Sequence, residues 1–289
     1  MGINKFEKPN LWWDFTFNAW WGCEKVSPAC KFCYAERDSL SQGDFWGANG
    51  NRRFFGDKHW NDPIRWNRKA TEEGTRKKVF CLSMGDIFED RRDLDSARLR
   101  VFTDLVPNTP NLDWMFVTKR IEKAMDLVPS SWRDKWPDNA WVITSIENQD
   151  YLEKRMPYLS KIPARVRGIS AEPLCGPVDF TGWENSIEWM ITGGESGDEN
   201  LVRIAPPDWY RGLRDWCIKN NKPFYFKQWG EYRPLYDGEK CEENVKVING
   251  IPMVAKGKKK AGYLLDGKSW FEFPKTGLSE VVGKTKEIF

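Results

Sequence analysis

Histidine is almost missing from this sequence of 289 residues, in which His59 is the single example. Structural zinc sites commonly take four ligands from histidines and from paired Cys-x-x-Cys segments. One such segment is present, Cys30 to Cys33, and no second one follows it. A zinc site would therefore have to collect its remaining ligands from distant parts of the chain.

The sequence also lacks long apolar runs and a large excess of one charge. Nowhere do about 18 apolar residues follow one another, which is the length that a membrane-spanning helix needs. Residues 1–10 lack the pattern of a secretory signal. Lysine and arginine total 45 against 42 acidic residues, so the net charge of +3 is weak evidence for an anionic partner. We expect an intracellular, cytoplasmic protein with reduced thiols and no membrane partner.

Three of the seven cysteines, Cys23, Cys30 and Cys33, lie within eleven residues. The others stand singly in the sequence: Cys81, Cys175, Cys217 and Cys241. Thiolates hold iron–sulfur clusters, and three without an evident fourth suit a cluster in which one iron is left open for a small-molecule ligand. We therefore predict that Cys23, Cys30 and Cys33 are metal ligands.

The cysteine segment resembles the radical S-adenosylmethionine enzymes, in which three cysteines hold a [4Fe-4S] cluster. Their usual spacing is Cys-x3-Cys-x2-Cys, whereas six residues separate Cys23 from Cys30 here. Further segments resemble a phage-associated three-cysteine family, known as a domain of unknown function and a divergent branch of that superfamily. Within residues 11–231 these segments are Thr16-Phe17-Asn18, Gly22-Cys23, Val26-Ser27-Pro28, Cys33-Tyr34-Ala35, Ser170-Ala171-Glu172-Pro173-Leu174, Gly193-Gly194-Glu195-Ser196-Gly197 and Phe226-Lys227-Gln228-Trp229-Gly230.

The resemblance implies a [4Fe-4S] cluster that binds S-adenosyl-L-methionine and a 5′-deoxyadenosyl radical that removes a hydrogen atom from an unactivated carbon. It also implies an electron donor such as flavodoxin or ferredoxin, and a phage-encoded protein acting in a bacterial host. As the substrate we predict DNA or a modified nucleotide. The specific activity that we predict is that of an isomerase, which rearranges a hypermodified, amino-acid-decorated thymine. The oligomeric state stays open.

Short apolar runs alternate with helical patterns from Trp12 to Gly230. This repetition predicts an α/β fold with a parallel sheet, and about seven strands favour a partial (β/α) barrel of the radical S-adenosylmethionine type. The predicted strands are residues 12–21, 78–86, 111–120, 140–148, 165–174, 187–195 and 223–230. A basic aromatic insertion (41–78) interrupts the barrel domain (1–230), and a small β-rich appendage (231–289) follows it.

Many polar residues lie at or just after the predicted carboxyl ends of these strands, where parallel barrels carry their active sites. Together with Tyr34, which follows Cys33, five of them are predicted to bind the cofactor: Ser83, Asp86, Ser145, Glu147 and Asn148. Four are predicted to be catalytic: Lys119, Glu172, Glu195 and Lys227. Each alone could equally be a helix cap or a turn residue.

The insertion carries nine lysines and arginines against five acidic residues, interleaved with aromatic rings. Such a segment suits phosphate contacts and base stacking. The predicted nucleic-acid-binding residues are Arg52, Arg53, Arg65, Arg68, Trp60 and Trp66. The alternative is a solvated insertion above a small aromatic cluster. A lysine cluster at 256–260 in the appendage is either a solvated loop or a second basic patch.

Two other functions stay open on the sequence. In the first, the cysteines hold a structural zinc ion or cluster in a non-enzymatic nucleic-acid-binding protein, with a distant fourth ligand such as His59. In the second, Asp86, Glu172 and Glu195 bind a divalent metal in a nuclease-like partner in phage defence. Metal content and magnesium-dependent activity would separate both from the radical enzyme.

Overall fold

Seven parallel strands form the main sheet of the protein. The computed structural model describes residues 11–236, 238–240 and 244–276. Its first nine strands are β1 (Phe15–Phe17), β2 (Trp20–Trp21), β3 (Arg53–Phe54), β4 (Lys77–Cys81), β5 (Leu112–Thr118), β6 (Ala140–Ser145), β7 (Arg167–Ala171), β8 (Trp189–Thr192) and β9 (Phe224–Phe226). The predicted strand over residues 12–21 is thus two short strands, and β2 pairs with β3 outside the main sheet.

The main sheet has the order β1-β4-β5-β6-β7-β8-β9, and every neighbouring pair in it is parallel. Strand order follows chain order without a reversal, whereas a doubly wound sheet reverses at a switch point. The sheet is therefore wound in one sense and curls into an open half-barrel, with β1 and β9 at its edges. This confirms the predicted partial (β/α) barrel.

Helices connect the strands, and the longer ones pack against the convex side of the sheet. They are α1 (Tyr34–Ser39), α2 (Asp57–Trp60), α3 (Asp62–Glu73), α4 (Asp95–Arg100), α5 (Val106–Asn108), α6 (Ala124–Leu127), α7 (Ser130–Asp134), α8 (Gln149–Leu159), α9 (Pro207–Lys219) and α10 (Gly257–Ala261). A π-helical segment, Val101–Leu105, joins α4 to α5. Within the described residues, no helix has the length and apolarity needed to cross a bilayer.

Helix α3 lies within the segment that the sequence analysis treats as an insertion. Its Trp66 stacks on Phe15 of β1 with the ring centroids 4.4 Å apart, and its Ala70 is fully buried. Residues 62–73 therefore form the crossover helix between β1 and β4. Its charged outer face gave this stretch the composition of a loop, which is why the helix was missed.

An aromatic core fills the concave side of the sheet. Trp141 of β6 and Trp189 of β8 belong to this inner core, together with Trp12. Val142 and Met190, the next residues along the same strands, join the larger core under the helices. This follows from the two-residue period of a strand. Because both tryptophans lie near the starts of their strands, the carboxyl ends are left to polar residues.

The C-terminal part contains short antiparallel strands, as expected for the predicted β-rich appendage. Its strands are β10 (Tyr232–Pro234), β11 (Val245–Ile248), β12 (Ile251–Ala255), β13 (Leu264–Leu265) and β14 (Lys268–Ser269). Asn249-Gly250 joins β11 to β12 and Asp266-Gly267 joins β13 to β14, and all four residues have positive φ. These dipeptides supply the positive φ values that two-residue hairpin turns require. Residues 277–289 of the predicted appendage lie outside the described residues.

Residues 270–273 return to the open edge of the barrel. Tyr225 of β9 pairs antiparallel with Phe271, and Trp189 donates its Nε1–H to the backbone oxygen of Glu272 at 2.9 Å. Phe273 enters the inner core, with its ring centroid 5.4 Å from that of Trp189. This segment thus covers the edge strand β9. The boundary between a barrel domain and an appendage at residue 230 stays a prediction.

Candidate active site

The cysteine loop, residues 22–33, connects β2 to α1. Cys23, Cys30 and Cys33 are half-buried free thiols in this loop. Within the described residues, no three His, Cys, Asp or Glu side chains lie close enough to hold a single metal ion. In an iron–sulfur cluster the thiolates bind different irons, so their sulfurs need not meet at one point. Three thiols in one loop are the ligand type that iron–sulfur clusters take, whereas a tetrahedral zinc site takes four ligands.

A buried ion pair holds the start of the loop. Arg52 and Glu89 lie 2.6 Å apart, with side-chain exposures of 0% and 3%. The same guanidinium donates to three backbone carbonyl oxygens within residues 45–50. Glu89 in turn accepts the backbone N–H of Glu24 at 3.2 Å. The nitrogen donors of Arg52 are thus engaged inside the protein.

Arg120 ties the loop to the end of β5. Its Nη1 lies 3.2 Å from the Sγ of Cys23 and 3.3 Å from Oδ2 of Asp86, and its Nη2 donates to the oxygen of Glu24 at 2.6 Å. Burial raises the pKa of Cys23 to about 12, and the positive charge of Arg120 opposes this rise. Burial also disfavours the guanidinium, but Asp86 and Cys23 outweigh it and raise the pKa of Arg120. The cation therefore favours the thiolate form of Cys23.

Arg203 holds the second half of the loop. It forms an ion pair with Glu195, which follows β8, and donates Nη1–H to the oxygen of Pro28 at 2.9 Å. Its guanidinium also lies over the ring of Phe32, 5.8 Å from the centroid. The loop is thus tied to the ends of β4 and β5 on one side and to the end of β8 on the other. It lies across the mouth at the carboxyl ends of the strands.

Two of the predicted catalytic residues are in direct contact at this mouth. Nζ of Lys227 lies 3.1 Å from Oε1 of Glu172. Gly193 makes room for this carboxylate, because a Cβ at that position would lie 2.5 Å from Oε1 of Glu172. Lys119 instead donates to the hydroxyl of Ser145 at 3.1 Å. The structure therefore offers a carboxylate and an ammonium side by side at the ends of β7 and β9.

Two buried oxygen atoms near the mouth have no hydrogen-bond partner among the described residues. Glu147 accepts a hydrogen bond from Arg155 through Oε2 at 2.6 Å, but its Oε1 is unpaired. Gln228 donates to the oxygen of Gly194 at 2.8 Å, while its own Oε1 is unpaired. Such atoms are rare in folded proteins. Both are acceptors, so they fit a ligand that brings hydroxyl or ammonium donors.

Other predicted cofactor residues make contacts that belong to the fold. Asp86 accepts hydrogen bonds from the backbone of Phe88 and Lys119 and from the hydroxyl of Thr118. Asn148 caps α8 by accepting from the N–H of Tyr151. These contacts give Asp86 and Asn148 structural roles, and their cofactor roles stay predictions.

Tyr34 and Ser83 contact one another beside the cysteine loop. The Tyr34 hydroxyl donates to the backbone oxygen of Ser83 at 2.9 Å, and the Ser83 hydroxyl meets the side chain of Asn18 at 3.1 Å. Tyr34 is 45% exposed. Its ring therefore remains accessible to a ligand at the mouth.

Two of the predicted nucleic-acid-binding residues are buried. Arg52 and Trp60 are each 5% exposed. Arg52 is occupied by Glu89, and Trp60 packs edge-on against Phe17 with centroids 5.3 Å apart. The prediction that these two residues contact nucleic acid is wrong, because neither reaches the surface.

The other four predicted nucleic-acid-binding residues differ in their exposure and in the protein groups that they contact. Trp66 is half-buried against the barrel, and Arg65 and Arg68 are exposed on α3 beside Asp62 and Glu72. Arg53 is exposed and lies over two rings, with Cζ 4.8 Å from the centroid of Trp21 and 5.4 Å from that of Phe55. Among the hydrogen bonds described for Arg53, the acceptor is the amide oxygen of Gln42. Arg53 is therefore the best placed of the four to meet a phosphate.

The two alternative metal sites do not assemble within the described residues. His59 belongs to no group of three metal-ligating side chains there; its Nε2 is 2.8 Å from the oxygen of Asn18 and its ring stacks on Phe17 at 4.8 Å. Asp86, Glu172 and Glu195 each contact a different basic side chain instead of sharing a site. The protein ligands for zinc and for a nuclease metal are thus not gathered.

The sequence analysis missed Arg120, Arg203 and Glu89, which hold the cysteine loop. Arg120 follows the predicted strand-end pair Thr118-Lys119, so its position was a usable signal. Arg203 and Glu89 lie in irregular loops, where no periodicity marks a residue. Of the other cysteines, Cys81 and Cys217 are buried, and Cys241 lies outside the described residues.

Fold and site together define an α/β partial-barrel protein with a three-cysteine loop across its mouth. The chain belongs to the family described as "Protein of unknown function (DUF5131)", which matches residues 9–274. No curated protein matches the sequence.

The chain is also similar to solved structures of spore photoproduct lyase. A double mutant with bound AdoMet and dinucleoside spore photoproduct has a TM-score of 0.41 at 14% identity, over 86% of this chain and 70% of that chain. A single mutant with dinucleoside spore photoproduct has a TM-score of 0.39 at 13% identity, over 84% and 68%. The lyase complexed with dinucleoside spore photoproduct has a TM-score of 0.39 at 14% identity, also over 84% and 68%.

Proposed function

We propose that this chain is a radical S-adenosylmethionine enzyme that acts on a nucleobase in DNA. The observation that carries the proposal is the position of the three-thiol loop across the mouth of an open parallel barrel. Arg120 and Arg203 hold this loop from opposite sides. The carboxyl ends of the strands are where parallel barrels carry their chemistry.

Cys23, Cys30 and Cys33 would hold a [4Fe-4S] cluster that binds S-adenosyl-L-methionine, and together these groups supply a 5′-deoxyadenosyl radical. The chain's own residues would bind the cofactor and the substrate and orient them. Oε1 of Glu147 and Oε1 of Gln228, which have no partner among the described residues, would accept hydrogen bonds from the hydroxyl or ammonium groups of a ligand. Trp141 and Trp189 belong to the buried core on the concave side of the sheet, and this core would keep water from reaching the mouth from below.

For the substrate we propose a hypermodified thymine that carries an amino acid and is isomerised. An amino acid group has an ammonium and a carboxylate, and the Glu172–Lys227 pair presents the complementary charges 3.1 Å apart. Isomerisation leaves the atomic composition of the substrate unchanged, so the hydrogen atom removed from one carbon is restored elsewhere in the product. The exposed Arg53 supports DNA as the carrier of this base, since its charge suits a phosphate.

The cofactor part of the proposal is tested by anaerobic reconstitution. We expect about four irons per chain and, with a reductant, formation of 5′-deoxyadenosine. Ala variants of Cys23, Cys30 and Cys33 should each lose the cluster. Cys217→Ala is the matched control, because Cys217 is a buried thiol in α9. If the three loop variants retain the iron content of the native protein, the assignment is wrong.

The substrate part is tested by comparing ordinary DNA with phage-modified DNA. An isomerised base has the same mass as its precursor but a different chromatographic retention after digestion to nucleosides. We expect such a product only from modified DNA. Formation of 5′-deoxyadenosine stimulated by a free nucleoside or a peptide, without DNA binding at low salt, would keep the radical enzyme and discard the DNA substrate.

A further inference from the structure

Arg120 is held in a fixed position beside the sulfur of Cys23. Its side chain is 8% exposed, and two acceptors besides the sulfur orient it: Oδ2 of Asp86 at 3.3 Å and the oxygen of Glu24 at 2.6 Å. Asp86 is itself fixed by the hydroxyl of Thr118 and the N–H of Lys119. The 3.2 Å contact between Nη1 and Sγ is therefore built into the fold.

Three charged groups act on Cys23 from neighbouring loops. Arg120 provides a positive charge and a hydrogen bond to the sulfur, whereas Asp86 and Glu89, which both lie near Arg120, are negative. Glu89 is neutralised by Arg52 at 2.6 Å and lies 4.0 Å from Arg120. Of the three, Arg120 is the group in contact with the sulfur, with Nη1 3.2 Å from Sγ.

We infer that Arg120 stabilises the reduced form of the [4Fe-4S] cluster through Cys23 and so raises the reduction potential of the cluster. The inference rests on the proposed function. Reduction adds one electron from a flavodoxin- or ferredoxin-like donor, and no bond forms or breaks at the cluster. The added negative charge is shared with the ligand sulfurs, so a cation donating an N–H to one of them favours the reduced state. Hydrogen bonds to the sulfurs and local charge set the potentials of such clusters.

Two substitutions separate the charge of Arg120 from its shape. Arg120→Gln removes the charge, and we expect the equilibrium constant for one-electron reduction to fall at least tenfold, a shift of about 59 mV to more negative potential. Arg120→Lys keeps the charge, but a compact ammonium cannot serve both Cys23 and the Glu24 oxygen as the guanidinium fork does. Its shift should have the same sign and be smaller.

The measurement is a redox titration followed by the electron paramagnetic resonance signal of the reduced cluster. Arg98→Gln is the matched control. Arg98 is a buried arginine that donates to the oxygen of Ile87 at 2.9 Å and to the oxygen of Glu89, and no contact with a cysteine is described for it. Its loss should leave the potential unchanged.

Equal potentials in native protein and in a cluster-loaded Arg120→Gln variant would overturn the inference and leave the proposed function standing. If Arg120→Gln takes up no iron, Arg120→Lys decides, and a potential more positive than that of the native protein would have the same meaning, because weakening the guanidinium contact would then favour the reduced cluster. A shift as large in Arg98→Gln would also overturn it, because any buried charge would then suffice. Native protein that takes up no iron would instead defeat the proposed function, and this inference with it.

Discussion

Glu89 and Arg52 form a buried ion pair behind the cysteine loop, with 2.6 Å between Oε1 and Nη2. The next residue, Arg53, is exposed and lies over the ring of Trp21. Successive side chains of extended chain face opposite sides, so adjacent arginines here have different surroundings. The first holds the cysteine loop in place, and the second is available to an external partner.

Arg52→Ala should lower the free energy of unfolding by about 3–5 kcal/mol, because it leaves the buried carboxylate of Glu89 without its cation. Denaturant-induced unfolding measures this. Arg53→Ala is the matched control, since an exposed substitution at the neighbouring position should change stability by no more than about 0.5 kcal/mol. An Arg52→Ala protein as stable as the native one would show that the ion pair does not hold the loop.

The strands of the barrel could be predicted from the sequence because their side chains are buried on both faces. Residues such as Trp141, Val142 and Ile143 make a continuous apolar run with turn residues at its ends, which is typical of a parallel strand. The strand order could also be predicted, because the chain repeats the same strand–helix–strand connection. A sheet whose strands follow chain order in this way is wound in one sense and curls into an open half-barrel.

The partners of the strand-end residues could not be predicted in the same way. Asp86 stands at a strand end in the sequence, but its four hydrogen-bond donors come from the loop after β4 and from the end of β5. Periodicity places a residue on one side or end of the barrel and does not say which neighbour reaches it. For the same reason the sequence could not separate Asp86, with its contacts complete, from Glu147, which keeps an unpaired oxygen.

This difference leads to opposite expectations for two acidic residues of the mouth. Asp86→Ala should lower the free energy of unfolding by about 3–5 kcal/mol, because Arg120 would lose a buried partner. Glu172→Gln should leave stability close to native and lower kcat/KM by at least about tenfold, which is about 1.4 kcal/mol of transition-state stabilisation. Thermal unfolding and steady-state kinetics on both variants test this.

Asn148→Ala is the control for these two variants. It removes a helix cap and should cost about 1 kcal/mol of stability, with kcat/KM of the remaining folded protein unchanged. If Glu172→Gln loses stability and activity to the same degree as Asp86→Ala, then Glu172 serves the fold and not the substrate.

DNA binding should depend on Arg53 through its charge. Each neutralised phosphate releases counterions, so Arg53→Ala should weaken binding and reduce the slope of log affinity against log salt concentration by about one. Arg65→Ala is the matched control, because Arg65 is also exposed but pairs with Asp62 on α3. Affinities for DNA measured at several salt concentrations give the slope for the native protein and for each variant. Equal slopes for native protein and Arg53→Ala would remove Arg53 from the interface.

The last prediction concerns the tie between Arg203 and the second half of the cysteine loop. Arg203 donates to the oxygen of Pro28 and lies over Phe32, so it restrains the chain on both sides of Cys30. In Arg203→Ala the loop should open more readily, and iron should pass from the reconstituted protein to a chelator about tenfold faster, the change that about 1.4 kcal/mol produces.

Arg37→Ala is the comparison for this measurement, because Arg37 also reaches the β8 loop, at the oxygen of Ser196, but is exposed and contacts Asp38 beside it. Its rate of iron loss should stay close to native, since exposed ion pairs contribute little. Glu195→Gln should fall between the two, as it leaves Arg203 in place without its ion-pair partner. If iron leaves all three variants at the native rate, the loop is held by its start alone, through Arg52 and Arg120.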